Sequence, residues 1–410
     1  MKPPWQAEIP LSATVFEEVR LQTIFDCCKW DPQVEDVATL ANFPLLLNFE
    51  TWHELGQLAE KLAVETVAAE QEILLQSRLQ KELNLPPAIQ KLWQHPSIQT
   101  SPKAVRVIRF DFHFTTEGWR ISEANSDVPS GYIEASGFTD LVALHYSQTT
   151  PLGNPANALA TAIRESVGEG AHVALAHATA YTDDRQVMTY LAQHFQQAGL
   201  QTYLISPAQL RWQSGRPLLL NHQSPTSIDF LYRFFPVEWL PNLPKASGWQ
   251  HLFGSVQIPQ CNPTSALITQ SKRFPLVWDA LKTQLPTWRA LLPETRDPRQ
   301  VRDLKDEAWV LKPALGRIGE NIGILGVTEK KDWLKIQQSA KQHPEKWVAQ
   351  RRFELIPLLT AEGYFYPCIG VYTINGRAAG AYGRLGSRPL IDATAKDVAI
   401  LTQAKKPVGE

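Results

Sequence analysis

The chain is poor in sulfur, in net charge and in long apolar runs. Only four of its 410 residues are cysteine, and only Cys27 and Cys28 stand close together. That usage supports neither a disulfide framework nor the ligand spacing of a structural metal site. Forty basic residues against 41 acidic leave a formal charge of −1. This removes the electrostatic case for a nucleic-acid partner, while a local basic patch around a phosphate stays open. No uninterrupted apolar stretch approaches membrane-spanning length, and the opening MKPPWQAEIP has no signal-peptide core. A cytoplasmic protein without a membrane partner is expected. The histidines form no pair at ligand spacing, and no Ser-His-Asp or Cys-His arrangement can be assembled.

What is present suits a large core: 44% hydrophobic residues, with 13 Trp and 30 Pro pointing to many turns and aromatic-lined surfaces. Residues 12–34 and 51–100 read as mainly helical. The second of these opens on Thr51 with Glu54 three residues later, a capping-box pattern, followed by an amphipathic stripe. Residues 105–125 read as a β-hairpin leading into a helix. Residues 155–206 alternate helix, strand, helix and strand, which suggests a small open α/β lobe. From SVQIPQCNP onward the chain gives a helix around Lys272 and then a β-rich lobe. The fold class is therefore α/β (α+β), divided into a helical N-terminal scaffold over 1–100, a hairpin and helix over 101–154, a small α/β lobe over 155–260 and a last lobe over 261–410.

The hairpin VRVIRFDFHFTTEGWRISEANSD is the most informative stretch. Phe110, Phe112 and Phe114 share one face, and Arg109, Asp111 and His113 the other. A three-residue loop of Thr116, Glu117 and Gly118 would place Thr115 opposite Trp119, Asp111 opposite Glu123 and Arg109 opposite Asn125. A four-residue loop would pair Asp111 with Ser122 instead. Two carboxylates directly across a strand pair repel, and a divalent cation held by Asp111, Glu123 and Asn125 is the simplest offset. From the hairpin alone, a solvent-facing strand with an ordinary Arg–Asp ion pair is the preferred reading. WVLKPALGRIGENIGI, residues 309–324, places Lys312 at a strand end before a loop containing Gly316, Arg317 and Gly319, where backbone N–H groups could approach a phosphate. It matches neither a P-loop nor a GxGxxG fingerprint, and a surface turn explains it equally well. Lys272 alone reads as an exposed lysine. Gln350 could read an adenine edge or serve as a structural amide, and Arg384 could face a cleft or the surface.

Taken together these stretches resemble the glutathionylspermidine synthase family. The pattern R-F-D-x(11)-E-x-N-x-D-x-P-S (Arg109, Asp111, Glu123, Asn125, Asp127, Pro129 and Ser130) is followed by YRFFPVEWL, SKRFPLVWDAL, KPALGRIGENI, AQRRF and GVYTINGRAAGAYGRL in the family's order, over about residues 10–390. The resemblance implies an ATP-grasp synthetase fold without the N-terminal amidase domain of the bifunctional bacterial relatives, so amidase activity is not expected. It implies magnesium ligation, by two ions, at Asp111, Glu123 and Asn125. Arg109 and Arg384 would steady the transferring phosphoryl group. Lys272 and Lys312 would meet the ATP phosphates, Gly316, Arg317 and Gly319 would belong to a lid loop, and Gln350 would lie near the adenine strand. The implied activity is ATP-dependent amide formation through an acyl phosphate. Its expected partners are a small-molecule carboxylate (a γ-glutamyl peptide such as glutathione is one candidate) and an amine, for which a polyamine is one. A homo-oligomer is compatible with this. The sequence after Arg384, LGSRPLIDATAKDVAILTQ, departs from the family's glycine–serine tract, which leaves both substrates open. Two alternatives share the phosphate machinery: a catalytically inactive nucleotide-binding module and a small-molecule kinase.

Overall fold

The computed structural model describes residues 3–34, 37–94, 104–220, 225–254, 256–316 and 319–403. Its largest sheet is antiparallel and six-stranded. The hairpin strands Val107–Thr115 and Gly118–Asn125 form one side, followed by Gly363–Ile374, Arg377–Gly386 and Lys396–Val398, with Leu358–Thr360 added beside Gly363–Ile374. The alternation read from the hairpin explains the packing. Phe110, Phe112 and Ile121 are fully buried on the apolar face, and Phe114 and Trp119 close its end with their rings 5.1 Å apart in an edge contact.

Behind that sheet lies the long helix Phe49–Leu74, which buries Leu55, Ala59, Leu62, Ala63, Ala69 and Ile73. Its cap differs from the expected one. The cap lies three residues earlier: the Asn48 side chain accepts from Thr51 N at 2.7 Å, so Thr51 is already helical. The N-terminal region is also less purely helical than its periodicity suggests. The first helix is Ala13–Phe25, and strands Trp5–Ala7 and Leu45–Leu47 pair with each other. Leu45–Leu47 runs parallel to Ile400–Gln403 near the other end of the chain.

A second sheet is wholly parallel, in the order Gln260–Cys261, Phe230–Phe234, His172–His177 and Gln201–Ile205. Helices Pro155–Val167 and Thr182–Gln197 contribute Leu159, Ile163, Leu191 and Phe195 to the core it shares. Parallel strands buried by crossover helices account for the continuous apolar run VALA at 173–176. A third, antiparallel sheet orders Thr295–Arg296, Trp347–Arg351, Trp309–Pro313 and Gly323–Ile324. Helix Lys330–Gln342 closes it by packing Trp333, Ile336 and Ala340 against Trp309, Leu311 and Trp347. Among the described residues no helix is long and apolar enough to cross a membrane.

Candidate active site

The hairpin reaches the expected pairing by an unexpected route. At its tip Thr115 faces Gly118 and Phe114 faces Trp119, so the loop holds two residues, Thr116 and Glu117. Continued unbroken, that register would put Asp111 opposite Ser122. A β-bulge between Asp111 and Phe112 shifts it by one, so that Asp111 faces Glu123 and Arg109 faces Asn125. The bulge also turns Ser122 into a linker between sheets: its carbonyl accepts from Lys312 Nζ at 3.1 Å, and its hydroxyl lies 3.1 Å from His113 Nε2.

Eight of the eleven residues singled out from the sequence line one cavity of about 1440 Å³: Arg109, Asp111, Glu123, Asn125, Lys312, Gly319, Gln350 and Arg384. Lys272 and Gly316 sit just beside it. Lys272 is not early in a helix. The helix Leu267–Gln270 has ended, and Lys272 occupies the turn before the 3-10 helix Phe274–Ala280, with its backbone N–H tied to Ala314 O at 2.8 Å. From there its ammonium reaches Glu123 at 2.9 Å and Gly316 O at 3.1 Å. Arg317 lies outside the described residues.

The two carboxylates are neutralised by the chain's own cations. Arg109 grips Asp111 with two donors, at 2.7 and 3.1 Å, and its guanidinium stacks 5.0 Å over Tyr382. Asn125 Nδ2 donates to Asp111 Oδ2 at 2.9 Å. Burial works against ionising Glu123, but Lys272 and Lys312 more than offset it and hold its carboxyl at about 2. The offset expected from a divalent cation is therefore supplied here by Arg109 and the two lysines. Among the described residues no three or more His, Cys, Asp or Glu side chains gather as a metal cluster. The hairpin offers two carboxylates and an amide, hard oxygen donors of the class magnesium takes when phosphates complete its shell.

Lys312 donates to Gln350 Oε1 at 2.7 Å, and Gln350 Nε2 in turn donates to Thr295 Oγ1 at 3.0 Å. The amide is thus engaged at both ends and orients the lysine. Burial lowers the Lys312 ammonium to about 8, with Glu123 pulling the other way. Burial also pushes His113 down to about 4, so a neutral imidazole stands on the polar face, its ring 5.4 Å from Phe353. Arg384 donates to Asp392 O at 2.7 Å and lies 3.7 Å from Asp397 Oδ1.

Sequence reasoning missed two parts of the site. Gly370 faces Asp111, and a Cβ there would come within 2.7 Å of Arg109 Cδ and 2.9 Å of Asp111 Oδ1, so the Arg109–Asp111 pair needs glycine beside it. The second is a buried group of Lys29, Glu134 and Asp397 on the same cavity wall. Its members lie 105 and 368 residues apart, and no local pattern joins them.

A family model described as glutathionylspermidine synthase preATP-grasp matches residues 45–401. No curated protein sequence matches the chain. Among solved structures, a glutathione synthetase-like effector from Globodera pallida, in its apo form, superposes with a TM-score of 0.61 at 9% identity, covering 93% of this chain and 97% of that one. A protein from Methylobacillus flagellatus KT, described as a candidate gamma-glutamylcysteine synthetase, gives a TM-score of 0.43 at 13% identity over 81% of this chain and 88% of its own. That second likeness is too loose to argue from. With a family match over most of its length and a mixed α/β fold of ATP-grasp type, the chain belongs to the glutathionylspermidine synthase preATP-grasp family of ATP-grasp ligases.

Proposed function

We propose that this protein is an ATP-dependent carboxylate–amine ligase that forms an amide through an acyl phosphate, in the manner of a glutathionylspermidine synthase. One observation carries the reading. The cross-strand set Arg109, Asp111, Glu123 and Asn125 meets Lys272 and Lys312, from separate elements, at the edge of one cavity. Phosphoryl transfer asks for charge neutralisation and positioning more than for a protein nucleophile, and that is what these side chains offer.

In this reading Lys272 and Lys312 leave their internal acceptors for the ATP phosphates, and Gln350 keeps Lys312 aimed. The loop with Gly316, Arg317 and Gly319 covers the phosphates. Asp111, Glu123 and Asn125 would hold magnesium, which would supply charge neutralisation on the phosphates when bound. A carboxylate oxygen of the first substrate attacks the γ-phosphorus and ADP leaves, with Arg109 and Arg384 balancing the charge in transit. The amine nitrogen then attacks the acyl carbon. Phosphate departs with one former carboxylate oxygen, and the nitrogen gives up a proton. Closure over the cavity keeps water from the acyl phosphate.

The test is incubation with ATP, magnesium and a panel of γ-glutamyl peptides and amines, following ADP and product mass. ADP release that requires both substrates, with a product weighing their sum less one water, is expected. Nucleotide failing to bind in the presence of magnesium would refute the reading.

A further inference from the structure

Lys29 is buried, with 9% of its surface exposed, yet it lines the cavity. The preceding residue, Cys28, has a left-handed backbone with φ of 61°. The Lys29 ammonium pairs with Glu134 Oε1 and lies 3.4 Å from Asp397 Oδ2. Both carboxylates are themselves buried, Glu134 at 6% and Asp397 at 4% exposure. Asp397 also accepts from Tyr382 OH at 2.8 Å. Glu134 Oε2 is buried without a hydrogen-bond partner from another described residue. Burial alone would drive the Lys29 proton off, but its two carboxylates hold its pKa above the ordinary lysine value, so it stays cationic.

Two buried carboxylates converging on one alkylammonium, on the wall of a substrate-sized cavity, have the chemistry of an ammonium receptor. Here the receptor is filled from within. Counting Arg384, 3.7 Å from Asp397, two positive charges face two negative ones, and no net charge remains to attract a further cation.

We infer that Lys29 is a specificity-determining residue: by occupying the alkylammonium position between Glu134 and Asp397, it excludes polycationic amines from this end of the cavity. The inference rests on the ligase reading for its meaning, and it narrows the second substrate to an amine without a second ammonium at this wall. Lys29 touches no reacting atom and acts through the charge it cancels.

The experiment measures spermidine binding by calorimetry and by thermal shift, without nucleotide, in wild type, Lys29→Met and the double variant Lys29→Met with Glu134→Gln. Wild type should show no saturable binding near about 1 mM, and Lys29→Met should bind at least about tenfold more tightly. The double variant, neutral again, should lose that gain. Butylammonium should raise the melting temperature of Lys29→Met, or rescue its folding if it does not fold alone, where sodium chloride does not. Saturable binding to wild type as tight as to Lys29→Met would overturn the inference, as would equal binding by the single and double variants. Saturable spermidine binding to wild type near about 1 mM would overturn the inference by itself, with no variant required to fold. Because no arm requires turnover, a failure of the ligase reading would show separately, as an absence of ADP release.

Discussion

Replacing Glu123 by Gln removes one charge from the hairpin and leaves its shape intact. In the folded chain that carboxyl is held at about 2 against an ordinary 4.5. A gap of that size corresponds to roughly 3 kcal/mol favouring the charged form. The side chain keeps 26% of its surface open to the cavity, so water screens part of this. Lys272 and Lys312 also retain Gly316 O, Gln350 and Ser122 O as acceptors. The expected destabilisation is therefore about 1–2 kcal/mol near neutral pH. A carboxyl depressed on folding contributes fully above its unfolded value and loses that contribution as pH falls toward the folded one. The gap between wild type and variant should thus be largest above pH 4.5 and narrow toward pH 2. Denaturant unfolding in EDTA at a series of pH values measures it. Calorimetry of ATP with magnesium should show affinity weakened by about a hundredfold, the scale of losing a group that tunes a metal site. Unfolding midpoints that coincide at neutral pH, together with wild-type affinity for magnesium–ATP, would refute the reasoning.

Three further outcomes follow from the same geometry. Asp297→Ala strips the carboxylate from the buried Arg273 beside Lys272, a pair at 2.8 Å, and should cost about 3 kcal/mol in urea unfolding at pH 7. Since Asp297 is held at about 2, that cost should shrink as pH falls below its ordinary 3.8. Gly370→Ala should disturb the Arg109–Asp111 pair and lower magnesium–ATP affinity more than it lowers the melting temperature, because the clash is with side-chain atoms at 2.7 and 2.9 Å. Gly319→Ala combines φ of +68° with a Cβ 2.2 Å from Ile391 O. It should cost about 1–2 kcal/mol or more in stability, and a melting temperature equal to wild type would contradict that.

The hairpin shows both what was legible in the sequence and what was not. Alternation placed its phenylalanines in the core and its charges on the cavity face. The facing of Asp111 and Glu123 also held, but through a two-residue loop and a bulge where a three-residue loop was expected. Loop length and bulge are interchangeable in a residue count, since each moves the register by one. Helical periodicity over 51–74 located the long helix but not its cap, because Asn48 and Thr51 are both good cap residues and only packing decides between them. The sequence reading of a helix around Lys272 is right for the residues that follow the lysine and not for the lysine itself. The helical run begins only at Phe274, as the 3-10 helix Phe274–Ala280 with Pro275 in its first turn, and the tie of Lys272 N to Ala314 O leaves the lysine in the turn before it. The role of Gln350 in holding Lys312, and the assembly of Lys29, Glu134 and Asp397, depend on contacts between distant segments that no local pattern encodes.

The most direct test of the account follows one oxygen atom. A carboxylate substrate labelled with oxygen-18 on its carboxyl group is supplied with ATP, magnesium and the amine, and the released phosphate is analysed by mass. Attack of that carboxylate on the γ-phosphorus predicts one labelled oxygen in the phosphate for every amide formed. Amide formation that leaves the phosphate unlabelled would contradict the acyl phosphate and, with it, the function assigned to the meeting of Arg109, Asp111, Glu123, Lys272 and Lys312.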